Sequence, residues 1–138
     1  MRTLLLGLGC LVGVAACSSD GTDCGTPVDV HGNWTYSGTQ SSPAATLTGT
    51  MTLSQPGTCT LAGTLAIAVD DGSGTPTNLS GPVSGVFLDA TTVDLTAELG
   101  GERRHVGTVV ADTISGTWAM TGAGGGVTGN FRAVRGTI

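Results

Sequence analysis

Leu61-Ala62-Gly63-Thr64-Leu65-Ala66-Ile67 puts an apolar residue or a glycine at every odd position and a small or polar residue between. A period of two is the mark of a strand with one buried face, whereas a helix would repeat every three to four residues. The unit recurs as Val30-Gly32-Trp34-Tyr36, Leu47-Gly49-Met51-Leu53, Val83-Gly85-Phe87, Ile114-Gly116-Trp118-Met120 and Val127-Gly129-Phe131-Ala133. Val93-Leu95-Ala97-Leu99 and His105-Gly107-Val109-Ala111 are imperfect copies, which brings the count to about eight strands.

Glycine inside a strand normally weakens it. Its return on the inward phase indicates tight coiling or close backbone approach, which small barrels require. The expected fold is all-β, a small antiparallel up-and-down barrel of about eight strands, with a β-sandwich as the alternative. In an up-and-down barrel successive connections alternate between the two ends. Connections 38–46, 70–82, 100–104 and 121–126 then share one end, mostly long and Gly-rich, and form a mouth. Those at 54–60, 90–92 and 112–113 are tighter and form a base. Composition agrees, since 24 glycines with only 11% charged and 4% aromatic residues point away from helices.

The chain starts Met1-Arg2, continues through an apolar run and closes it with Leu11-Val12-Gly13-Val14-Ala15-Ala16-Cys17. This resembles the lipobox of bacterial lipoproteins. The resemblance implies a signal peptide over residues 1–16 and acylation of Cys17; the polar, turn-rich stretch that follows makes 17–29 a lipidated tether, and the strand pattern sets the barrel domain at 30–138. The apolar stretch Thr3 to Ala16 is shorter than the ~20 residues a membrane-spanning helix needs. The expected location is the bacterial cell envelope, with the membrane as partner through the lipid. Ser18 after Cys17, instead of Asp, resembles the pattern of outer-membrane sorting. With Cys10 in the signal and Cys17 acylated, Cys24 and Cys59 remain, either as one disulfide or as two free thiols. A bridge would close a loop worth roughly 3 to 4 kcal/mol.

Gly32-Asn33-Trp34 opens the first strand, and the last ends in Arg132-Ala133-Val134-Arg135. The pair is similar to the calycin barrels, the lipocalins and avidin-like proteins, in which a basic residue of the final strand packs over the Trp of a G-x-W element at the closed end. The resemblance implies that Trp34 and Arg135 mark the barrel base. Gly116-Thr117-Trp118 also satisfies G-x-W. Bacterial metalloprotease inhibitors are similar exported barrels with G-x-W and one disulfide.

Net charge is −5, and all five basic residues are Arg. With no basic cluster, nucleic acid is not an expected partner. His31 and His105 have no neighbours at metal-ligand spacing, so neither a metal nor a cofactor is expected. Gly124-Gly125-Gly126-Val127-Thr128-Gly129 matches G-x-G-x-x-G but leads into a strand, without the helix N-terminus that a pyrophosphate needs. Asp70-Asp71-Gly72-Ser73-Gly74 reads as a turn, Asp89 as a turn cap and Glu102-Arg103-Arg104 as a solvated hairpin tip. No nucleophile has a base beside it, so the chain is not read as an enzyme.

Trp34, Met51, Leu65, Phe87, Leu95, Val109, Trp118 and Phe131 supply one large inward side chain per strand. Gly49, Gly85, Gly107 and Gly129 lie on the mouth side of them, where absent side chains are expected to leave room. Tyr36, Ile67, Leu99, His105 and Met120 border that room as candidate ligand-binding residues. The functional expectation is an exported lipoprotein that binds a small apolar molecule in a mouth-side pocket. The alternative is an envelope interaction or scaffold protein, or a protease-inhibitor-like barrel, with a protein partner.

Overall fold

Strict alternation gives each strand one apolar face, and eight such faces can all be buried at once if the sheet closes on itself. In the computed structural model, which describes residues 24–122 and 126–136, the strands are β1 (Gly32–Ser41), β2 (Ala44–Ser54), β3 (Thr60–Asp70), β4 (Thr77–Phe87), β5 (Thr92–Glu98), β6 (Glu102–Val110), β7 (Thr113–Met120) and β8 (Thr128–Arg135). Each pairs antiparallel with its chain neighbours, and β8 pairs with β1, so the barrel is closed and the sandwich is excluded. Cys17, the signal and most of the tether lie outside the described residues, as do positions 124 and 125 of the glycine motif.

The register fixes the tilt. Followed once round the barrel from Gly32, the inward row runs through Leu53, Gly63, Val83, Ala97, Arg103 and Met120. With the last two ladders carried just past their ends, it returns to β1 at position 42, ten residues above its start. Eight strands with that stagger tilt by about 40°, inside the usual range for small barrels. The core is the inward phase itself: Trp34, Met51, Leu65, Phe87, Leu95, Val109, Trp118 and Phe131 are all buried.

At the inward glycines neighbouring atoms approach closely, and the space a side chain would take is occupied. A Cβ on Gly49 would fall within contact of the Ala66 carbonyl oxygen, and one on Gly129 would strike the Thr39 carbonyl oxygen. Gly63, Gly81 and Gly116 meet the adjacent strand's carbonyls in the same way. What space remains is taken by neighbouring side chains. Phe131 Cζ lies 2.8 Å from where a Gly107 Cβ would sit, Trp118 Nε1 lies 2.7 Å from that of Gly129, and Leu95 Cδ2 lies 2.8 Å from that of Gly85. The expectation of room beneath Gly49, Gly85, Gly107 and Gly129 is therefore corrected, because neighbouring backbone and aromatic rings occupy it.

The mouth connections are shorter than the sequence pattern suggests. β1 and β2 continue as a ribbon up to the pair Ser41 and Ala44, leaving only Ser42 and Pro43 between them. β4 begins at Thr77 and runs through Pro82. Phe87 N donates to Cys59 O, so by alternation the Pro82 nitrogen faces β5, just beyond the Val83–Ala97 pair that ends the β4–β5 ladder. A missing N–H is tolerated there.

The base is clasped from both chain ends. Cys24 and Cys59 form a disulfide, as the bridged reading anticipated. Trp34 Nε1 donates to Val30 O at 2.9 Å, and the Arg135 guanidinium lies 4.5 Å from the Trp34 ring centroid, as the calycin resemblance implied. Arg135 also spends its donors on the chain around it, with Nε on Asp112 at 2.9 Å, Nη1 on His31 O and Nη2 on Asp29 O, both at 2.7 Å.

Gly49→Ala tests the close approach. Overpacking typically costs 1 to 3 kcal/mol, and because the obstacle is backbone the expected loss is about 3 kcal/mol or more by urea unfolding. Gly136→Ala is the reference, because its Cβ would find the Asn33 carbonyl oxygen at 3.4 Å, an ordinary contact, and should cost under about 1 kcal/mol. Equal midpoints for the two variants would mean that β2 and β3 do not pack this closely.

Candidate functional site

The interior is apolar except in its mouth half, where Tyr36 on β1 and Arg103 and His105 on β6 point inward beside Trp118 and Phe131. Tyr36 Oη and His105 Nε2 are 2.8 Å apart, and His105 Nδ1 is 3.2 Å from the Arg103 carbonyl oxygen. A carbonyl can only accept, so Nδ1 carries the proton and donates to it. Burial keeps the imidazole neutral, so Nε2 carries no proton and accepts from the Tyr36 hydroxyl. The rings brace the pair: Phe131 stands edge-on to His105 at 4.9 Å and stacks on Tyr36 at 6.0 Å.

Burial dominates the electrostatics. Desolvation, with a smaller contribution from the Arg103 charge, pushes His105 down to about 4, against the hydrogen bond to Arg103 O. Desolvation likewise raises the Tyr36 phenol well above its ordinary range, opposed by Arg103. Both groups are therefore neutral across the physiological range.

Arg103 is the residue that sequence reasoning misplaced. Glu102 and Arg104 do lie at the surface: Arg104 forms a two-pronged ion pair with Asp94 on the outer wall, at 2.9 and 2.6 Å, and Glu102 accepts from Thr121. Arg103 lies between them and is only 6% exposed. Its guanidinium is 4.8 Å from the Trp118 ring centroid, and its Nε and Nη1 are buried with no hydrogen-bond partner among the described residues. Reading the triplet as a solvated tip fails because β6 starts at Glu102, which gives Arg103 the inward phase of His105, Gly107 and Val109. That two-residue spacing was the available signal.

An unpaired buried cation is expensive. Leaving a buried donor unsatisfied costs about 1 to 3 kcal/mol, and more when it is charged, while a desolvated cation–π contact returns about 2. Desolvation accordingly lowers the Arg103 pKa, opposed by Tyr36.

The structure brings Tyr36 and His105 of the candidate set into contact. Ile67 and Leu99 are buried elsewhere on the wall, and Met120 is half-buried at the rim, its Cε 3.2 Å from where a Cβ on Gly101 would lie. His31 is exposed, Asp70 and Asp71 close turns onto Gly72 N and Ser73 N, and Asp89 caps Thr91 N and Thr92 N. A recess of about 410 Å³ lies on the outer wall of β6 to β8, lined by Arg104, Val106, Thr117 and Asn130 among others. No cluster of three metal-ligating side chains occurs among the described residues.

The fold and this site define a small closed eight-stranded antiparallel barrel with a polar group in its mouth half. Among solved structures it is similar to that of EF1p2_mFAP2b bound to DFHBI, at a TM-score of 0.67 and 12% identity, over 78% of this chain and 94% of that one. At that identity the likeness concerns the fold. No family model matches the chain, and neither does any curated protein.

His105 should leave a signature in stability against pH. Its folded pKa, about 4, lies below its ordinary 6.5, so the unfolded chain takes up the proton first. Stability is full above pH 6.5 and falls as pH drops towards 4, by roughly 3 kcal/mol in all. In the double variant Tyr36→Phe, His105→Leu the urea midpoint should stay flat across that window. A slope that persists in the variant would place the titrating group elsewhere.

Proposed function

We propose that this chain is an exported, lipid-anchored barrel that binds a small, largely apolar molecule in its mouth half. The observation that carries the reading is the convergence of Tyr36, Arg103 and His105 around Trp118 inside an otherwise apolar interior. An apolar site with a few convergent polar groups of shifted pKa is the usual form of a small-molecule site. That a barrel of this fold is bound to DFHBI supports it. The role is binding without catalysis. Tyr36 holds its proton tightly and His105 is already neutral with its Nε2 engaged, which makes both poor proton carriers near pH 7.

The anchor belongs to the same proposal. Cys24 is fixed at the base by its disulfide, so a lipid on Cys17 would hold the barrel base-down with the mouth turned away from the membrane. Negative overall charge gives no electrostatic help at an anionic surface, which leaves attachment to the acyl chains. In cells fed labelled fatty acid, the wild type should take up label and Cys17→Ser should not. Equal labelling of the two would remove the lipoprotein reading.

Binding is tested on the purified full chain by titration with DFHBI, terpenoids and hydrophobic dyes. Trp34→Phe leaves Trp118 as the single tryptophan reporter at the proposed site. At least one probe should bind with Kd below about 100 μM, near −5.5 kcal/mol, and change Trp118 emission. If none does, the envelope interaction protein becomes the better reading.

A further inference from the structure

The barrel carries two Arg–Trp stacks, one near each end, and they differ in one respect. Arg135 over Trp34 has Nε, Nη1 and Nη2 all donating to oxygens, whereas Arg103 over Trp118 has Nε and Nη1 buried with no acceptor among the described residues. The separations from ring to guanidinium are nearly equal, 4.5 and 4.8 Å, so Trp contact alone does not account for the difference. The base arginine is structurally complete, and the mouth arginine lacks its oxygens.

We infer that Arg103 receives the anionic head of the ligand, and that the ligand class is a compact apolar monocarboxylate. The inference rests on the binding reading above and narrows it. A carboxylate supplies the missing acceptors in the planar geometry a guanidinium fits. No acidic side chain among the described residues does so from within: Asp94 is engaged by Arg104 on the outer wall and Glu102 by Thr121. The neighbours choose the rest of the molecule. The Trp118 ring under Arg103 is already stacked with His105, and Phe131 packs edge-on to His105, so the half-buried Met120, the cross-strand partner of Arg103, is the flexible apolar side chain that a ligand tail would meet. The tail is compact because Tyr36, Phe131 and the residues below them already fill the barrel towards its base. Net charge of −5 disfavours anions at the surface at large, so attraction has to be local to this one buried cation.

The test compares naphthoate with naphthylmethanol, which share a ring system and differ in charge, by equilibrium dialysis against the full chain in detergent with protein-free detergent as blank. Wild type should bind naphthoate at least tenfold more tightly than the alcohol. Arg103→Met, which keeps the stem and removes the charge, should abolish that preference and retain the alcohol. Without ligand it should also melt at or above the wild-type temperature, because an unpaired buried charge has been removed. If wild type binds both probes equally, the carboxylate assignment is wrong while the binding reading stands. If it binds neither and no other probe of the panel, both fall. A lower melting temperature for Arg103→Met with the naphthoate preference intact would make Arg103 a structural residue and overturn the inference. Should that variant not fold, the tenfold preference in wild type decides by itself.

Discussion

Everything in this barrel depends on how closely neighbouring strands can approach at the inward glycines. Gly49 lies against the carbonyl of Ala66, the residue before its cross-strand partner Ile67, and Gly129 lies against the carbonyl of Thr39, the residue before its partner Gln40. A methyl group at either place would collide with backbone, which has nowhere to go. Removing it lets the sheet coil tightly enough for eight short strands to close with a ten-residue stagger. The same glycines seat the large side chains: the Phe131 ring beds on Gly107 and the Trp118 indole on Gly129. Closure and core packing thus have one cause.

Much of this was legible because burial and alternation are the same fact in a closed antiparallel barrel. Each i, i+2 run of apolar residues and glycines became a strand with that face inward, and the topology that brought Cys24 and Cys59 to one end follows from strand count alone. What escaped was whatever the apolar pattern does not mark. The ribbon from Gly38 to Thr46 rises above the core, so its inward positions Gln40 and Ala45 need not be large or apolar, and it read as loop. The first half of β4 was hidden for a similar reason, since Pro82 reads as a strand breaker until the end of the β4–β5 ladder is seen to leave its nitrogen without a partner to serve. Glycine admitted two readings, tight coiling and spare room, and sequence cannot separate them because the neighbouring backbone is invisible to it.

Arg103 shows the limit from the other side. Charge outweighs phase when a hairpin is read from residues alone, and Glu102-Arg103-Arg104 looked uniformly wet. Once β6 is seen to start at Glu102, alternation sends the middle residue inward and its two neighbours out. The candidate site was therefore half legible: Tyr36 and His105 were identified, and the cation beside them was not. The second G-x-W element, at Gly116 to Trp118, gains meaning by the same route, since its tryptophan carries an arginine as Trp34 does.

The disulfide at the base has a mechanical consequence. Tension arriving along the chain that precedes Cys24 need not travel through residues 25–31 to reach β1. It passes first through the sulfur bridge to Cys59, and from there into the root of β3, where Phe87 N of β4 holds the Cys59 carbonyl. A pull is thereby shared between the chain leading into β1 and a covalent link that passes it to the long β3–β4 ladder.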